Sequence, residues 1–203
     1  GYYTNIANLS PDGKSIAFSD PDGHPILMDL TTGSKTKMSD IGDLYNPKWS
    51  PDGQKIVVEQ GNATLYVIEP AQKKVLKLDK GFEASWTADS KELVYSRSDY
   101  ENDDVFFFKG ISVHQASFDG KMRRVIIPTS KECPQEVALL DNGKLAVSYS
   151  YGNRRLVAVS LSDTKSSIEE ELFTLPAQNV HFGKVPKNLK NNNVTLRPST
   201  KST

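Results

Sequence analysis

Hydrophobic positions along this chain fall in short runs rich in Val, Ile, Leu and aromatic residues, and polar turn residues separate the runs. The clearest is Trp49-Ser50-Pro51-Asp52-Gly53-Gln54-Lys55-Ile56-Val57-Val58: an aromatic residue, a four-residue turn and a β-branched run. The same order of residue types recurs at Leu9-Ser10-Pro11-Asp12-Gly13-Lys14-Ser15-Ile16-Ala17-Phe18. It recurs again at Trp86-Thr87-Ala88-Asp89-Ser90-Lys91-Glu92-Leu93-Val94-Tyr95, with the proline and glycine replaced. A fainter copy, one residue shorter, is Leu139-Leu140-Asp141-Asn142-Gly143-Lys144-Leu145-Ala146-Val147. Proline presets φ in a tight turn, aspartate accepts hydrogen bonds from nearby backbone N–H groups, and glycine takes up a positive φ. Each copy therefore predicts a hairpin between two antiparallel strands.

Gly13, Gly53, Ser90 and Gly143 mark these turns at spacings of 40, 37 and 53 residues. A period near 40 is that of a four-stranded propeller blade. A further apolar run follows each hairpin: Ile26–Leu30, Leu65–Glu69, Ile111–Ala116 and Leu156–Leu161. A fourth strand such as Lys74–Leu78 closes the unit. One such sheet cannot bury both faces alone, so neighbouring units must stack. The expected architecture is an all-β propeller with four recognisable four-stranded antiparallel blades over residues 5–40, 41–80, 81–130 and 131–178. A partial fifth unit, a degenerate hairpin running into a Ser/Thr/Lys/Pro-rich end, covers 180–203.

Over residues 5–178 these repeats resemble the PD40 (WD40-like) repeat of TolB-type β-propellers, most closely in the first two units. The resemblance implies an exported bacterial propeller, periplasmic or extracellular, that binds a protein or cell-envelope component. It also implies an alternative, a propeller fused to a hydrolase or peptidase domain of the same polypeptide. Carbohydrate or small-ligand binding in a central channel is a third reading.

Composition narrows the choice. The 203 residues carry 25 Lys+Arg against 25 Asp+Glu, a balance that argues against a phosphate-binding surface and hence against nucleic acid as partner. No apolar segment reaches the length of a transmembrane helix. The single cysteine, Cys133, leaves no disulfide within the chain and reads as a small packing residue. No signal peptide is visible, and the Gly1-Tyr2-Tyr3 opening fits a chain whose targeting segment has been removed.

Candidate chemistry lies where the copies fail to match. The third unit carries about ten extra residues around Arg97–Phe108. Asp99, Glu101, Asp103 and Asp104 could ligate calcium there, or form a solvated loop, without EF-hand spacing. Tyr100, Phe106, Phe107 and Phe108 could anchor a partner, or alternate between two packed blades. Tyr149, Tyr151, Arg154 and Arg155 form a candidate rim contact in the fourth unit. Asp12, Gly13, Asp52, Gly53 and Asp89 read as turn residues, and Trp49 and Trp86 as packing between blades. No catalytic group is assigned: His24, His114 and His181 are dispersed, and no nucleophile elbow, phosphate loop or dinucleotide-binding turn is present. No cofactor is expected.

Overall fold

A computed structural model describes residues 6–101, 104–140, 144–149, 155–160 and 170–174, without the side chains of 104–107 and 170–174. Four antiparallel sheets follow one another along the chain. Blade 1 holds β1 (Asn8–Leu9), β2 (Ser15–Ser19), β3 (Pro25–Asp29) and β4 (Lys35–Lys37). Blade 2 holds β5 (Leu44–Trp49), β6 (Ile56–Gln60), β7 (Thr64–Glu69) and β8 (Lys74–Lys80), with a short 3₁₀ turn at Pro70–Gln72. Blade 3 holds β9 (Phe82–Trp86), β10 (Glu92–Glu101), β11 (Asp104–Ser117) and β12 (Arg123–Ser130). Blade 4 holds β13 (Pro134–Leu139), β14 (Lys144–Tyr149), β15 (Arg155–Ser160) and β16 (Glu170–Thr174). Within each sheet the strands lie in chain order, as the repeat predicted. The possible fifth unit at 180–203 lies outside the described residues.

The turn residues act as their chemistry requires. Ser50 Oγ donates to Asp52 Oδ1 (2.5 Å), Gln54 N–H donates to the same oxygen (3.0 Å), and Lys55 N–H donates back to Ser50 Oγ (2.9 Å). Ser10 with Asp12 and Thr87 with Asp89 repeat this arrangement. So do Ser117 and Asp119, in a turn between the third and fourth strands of blade 3. Gly53 sits at φ 70°, and its counterpart Ser90 holds φ 61° in spite of its Cβ.

Three apolar clusters lie between the sheets. Ala17 of blade 1 meets Leu44, Ile56, Val58 and Ile68 of blade 2. Val57, Leu65, Val67 and Leu78 of blade 2 meet Ala84, Trp86, Leu93, Tyr95 and Ala116 of blade 3. Val94, Val113 and Ile127 meet Val137, Leu145, Val147, Tyr149, Val157 and Val159 of blade 4. Alternation along each strand therefore sends one face of a sheet to the preceding blade and the other to the following one. Both tryptophans reach back across a junction. Trp49 Nε1–H donates to the Asn8 carbonyl (3.1 Å), and Trp86 Nε1–H to the Lys48 carbonyl (3.0 Å). Each acceptor precedes the tryptophan-equivalent position of the blade before.

The ten-residue insertion lengthens two strands instead of forming a loop. β10 and β11 continue as a pair to Glu101↔Asp104, with register shifts on either side of Tyr100. Tyr and Phe favour extended backbone, and cross-strand pairing satisfies N–H and C=O groups that a loop would leave to water. Gly110, at φ 151°, lies where a Cβ would collide with the Ser130 carbonyl, so β11 can pass close to β12 only without a side chain there.

Candidate functional site: the loop face

In an antiparallel meander successive connections alternate between two ends of the sheet. One end collects the β1–β2, β5–β6, β9–β10 and β11–β12 turns built on Asp12, Asp52, Asp89 and Asp119. The opposite end collects the β2–β3, β6–β7, β10–β11 and β14–β15 connections and the crossings between blades. Backbone bonds lace this second end together: Leu44 N–H donates to the Gly23 carbonyl (2.8 Å), and Gly81 N–H to the Ala63 carbonyl (2.8 Å). Among the described residues, the candidate contact residues Tyr100 and Phe108 stand toward this end.

The β10–β11 hairpin is its largest feature. Tyr100 and Phe108 face each other edge-on, with ring centroids 5.8 Å apart, and remain 36% and 51% exposed. Two aromatic rings paired in water on an extended hairpin form an apolar tip that the blade stack does not cover. The side chains of Phe106 and Phe107 lie outside the described set.

The calcium reading fares differently at each residue. Asp99 Oδ2 accepts a hydrogen bond from Thr129 Oγ1 (2.8 Å), and its Oδ1 lies 3.5 Å from Arg97 Nε, so this carboxylate pins the hairpin to β12. Glu101 is exposed at the end of β10, Asp103 lies outside the described residues, and the side chain of Asp104 is not described. The rim reading divides as well. Tyr149 is 3% exposed, packed in the blade 3–blade 4 core, which corrects its assignment as a contact residue. Its position on β14 follows from the alternation of Leu145, Val147 and Tyr149 toward blade 3. The Arg155 guanidinium lies 4.6 Å from the Tyr149 ring centroid and 3.0 Å from Glu132 Oε2, and so closes the core at the rim. Tyr151 and Arg154 lie outside the described residues.

Two constellations were not legible in the sequence. Asp20, Asp22 and His24 on the β2–β3 connection place three potential ligand atoms within 4.8 Å of one another. Asp20 Oδ1 already accepts from the backbone N–H of Asp22 (3.0 Å) and of His24 (2.8 Å), and its Oδ2 lies 3.3 Å from His24 Nδ1. These bonds hold the Asp20 carboxyl below its ordinary value, first through the His24 N–H, and they build the turn. The second constellation follows from bulges in the first strands. Asn46 and Glu83 occupy the same repeat position, three residues before Trp49 and Trp86, at φ 52° and 51°. Lys48 Nζ lies 3.3 Å from Glu83 Oε2, and Glu83 N–H donates to Glu59 Oε1 (2.9 Å). Burial, then the Glu83 charge, pushes the Glu59 carboxyl up. Neither group contains a nucleophile beside a base, so neither forms a catalytic set.

No family model matches the chain. Among curated proteins, the chain is similar to the periodic tryptophan protein 2 homolog of Mus musculus. The two are 30% identical over a 110-residue alignment that covers 48% of this chain and 12% of the mouse protein. Solved structures give broader matches. The putative TolB of Agrobacterium tumefaciens superposes with a TM-score of 0.63 at 18% identity, over 86% of this chain and 68% of that one. Dipeptidyl peptidase 4 of Porphyromonas gingivalis gives 0.61 at 14%, over 83% of this chain and 32% of that one. The β-propeller domain of the Trilobed protease from Pyrococcus furiosus gives 0.60 at 16%, over 78% and 55%. The chain thus spans a small part of the mouse relative and about a third of the peptidase. At these identities the structures establish the fold: the four sheets are propeller blades.

Proposed function

We infer that this chain is a non-catalytic propeller module of the TolB-like kind, exported to the periplasm or cell exterior, which binds a protein or cell-envelope partner through its loop face. The observation that carries the reading is the β10–β11 hairpin, which continues past the regular blade and carries the exposed Tyr100–Phe108 pair. Aromatic side chains supply large contact area at little entropic cost and are enriched among residues that dominate interface energetics. The similarity to TolB supports a propeller used for binding. The hairpin is held by Asp99–Thr129 and by the strand ladder, so its tip is presented on a rigid stem.

The test is capture from extracts of the source organism by the immobilised chain, compared with Tyr100→Ser/Phe108→Ser. Loss of the captured partner by the double variant, with an unchanged melting midpoint, is expected. Equal capture by both proteins would remove the tip from the binding surface.

A second reading is favoured by the peptidase structures among the similar folds: the propeller is an accessory domain that controls access to a hydrolase or peptidase domain of the same polypeptide. The complete reading frame separates the two. A catalytic domain in frame with these blades would support the accessory role, and a frame without one would exclude it.

A further inference from the structure

We propose that a cleft on the outer side of the blade 1–blade 2 junction binds a neutral oligosaccharide. The cleft has a volume of about 770 Å³, within the roughly 300–1,000 Å³ of small-molecule sites. Leu27, Met38 and Trp49 supply its apolar lining, while Gln54 and Gln72 stand in the β5–β6 and β7–β8 turns at its rim. It therefore lies between two adjacent sheets of the stack.

The next junction shows why this space is open. Ile56 pairs with Ile68 as Leu93 pairs with Ala116, which puts Pro70 and Phe118, two residues further on, at the same repeat position. Thr36 pairs with Leu27 as Leu76 pairs with Val67, so these two correspond as well. Ser15 and Lys55 match in the same way, each just before the first isoleucine after its turn. Between blades 2 and 3, Leu76 and Phe118 pack against the core around Trp86, and Lys55 Nζ lies 4.8 Å from the Phe118 ring centroid. Trp86 is 6% exposed there. Between blades 1 and 2 the same three places hold Thr36, Pro70 and Ser15, whose smaller side chains leave Trp49 only partly buried beside the cleft. Its Nε1–H is bonded to the Asn8 carbonyl, so the indole is fixed before a ligand arrives.

The lining decides what occupies the cleft. Lys37 and Lys73 are matched by Asp40 and Glu69, and Lys37 Nζ lies 3.0 Å from Asp40 Oδ1, so the site offers no net charge to an ion. A purely apolar ligand would leave Thr36, Ser39, Gln54 and Gln72 facing it. Among the described residues the side-chain amides of Gln54 and Gln72 have no hydrogen-bond partner, and each offers two donors and an acceptor. Sugar rings meet all these terms: they are uncharged, their C–H faces lie flat on an indole, and their hydroxyls both donate and accept.

Calorimetric titration of the 203-residue chain with cellotriose, maltotriose and triacetylchitotriose tests this. Saturable binding of at least one of them is expected. Thr36→Leu/Pro70→Phe, which copies the packing of the next junction into this one, should abolish it. Gln54→Ala and Gln72→Ala, both at exposed positions, should each weaken it about fivefold, and they keep the test open should the filled cleft lower the melting midpoint. Tyr100→Ser/Phe108→Ser should bind as the unaltered chain does, because the loop-face tip takes no part. No saturable binding of any of the three sugars would overturn the proposal. Binding that is unchanged in a folded Thr36→Leu/Pro70→Phe variant, or in both glutamine variants, would also overturn it, since the sugar then sits elsewhere.

Discussion

At the scale of single residues, the third repeat shows how a departure from the motif is compensated. Ser90 takes the glycine place and keeps a left-handed backbone that costs a residue with a Cβ about 1–2 kcal/mol. In return its Oγ accepts a hydrogen bond from Asp52 N–H (3.0 Å), which ties the turn of blade 3 to the turn of blade 2. Ser90→Ala keeps the strained backbone and loses the bond, and should lower stability by about 1 kcal/mol in urea unfolding. The turn carboxylates set the acid limit. Hydrogen bonds from Ser10 to Asp12, from Thr87 to Asp89 and from Ser117 to Asp119 hold these groups below their ordinary value of 3.8, Asp119 at about 2. Burial works against Asp52, but the bonds from Ser50 and Gln54 N–H still leave it lowered. Their contribution is complete above 3.8 and is lost as pH falls through the folded values. His114 acts earlier. Its Nε2 lies 2.8 Å from Ser112 Oγ, its buried Nδ1 has no hydrogen-bond partner, and burial, then Arg97, holds the imidazole below its ordinary 6.5. Asp99 and Asp79 oppose that shift, and Arg123 adds to it. Below 6.5 the unfolded chain takes up a proton that the folded ring resists, so stability declines there as well. Melting midpoints measured from pH 7 to 2.5 should therefore fall in two stages, and His114→Gln should remove only the first.

At the scale of elements, the first two blade junctions each combine an apolar cluster with a bond from an indole N–H to a backbone carbonyl. Trp86→Phe keeps most of the packing and removes the bond to Lys48, and should cost about 1 kcal/mol by guanidinium unfolding. Trp86→Ala opens a cavity and should cost about 3–5 kcal/mol. These elements were legible because their signals are local: turn chemistry, alternation and a fixed period. The hairpin was harder to read. Arg97–Phe108 looked like an insertion of charged residues followed by a phenylalanine run, whereas cross-strand pairing makes it two continuous strands. Tyr149 reads as a rim residue when placed beside Tyr151 and Arg154, yet strand alternation sends it into the core. The bulged Asn46 and Glu83 stayed hidden because they depend on backbone twist and on contacts between blades, whereas Asp20, Asp22 and His24 stand in one turn whose local bonds bring their side chains together.

At the scale of the whole molecule, the tight turns are committed to the architecture and the loop face is where variation accumulates. Asp12, Asp52, Asp89 and Asp119 each accept hydrogen bonds inside their own turns, which gives the turn face a repeated chemistry. The loop face carries the extended hairpin with its aromatic tip and a crossing arginine at the rim. A binding propeller of this design should meet its partner from that side. A photo-crosslinking side chain placed at Phe108 on the loop face, and separately at the 69% exposed Met122 on the turn face, tests this directly in the source organism. The account predicts a discrete protein adduct from position 108 and none from 122. Adducts formed at 122, with none at 108, would contradict it.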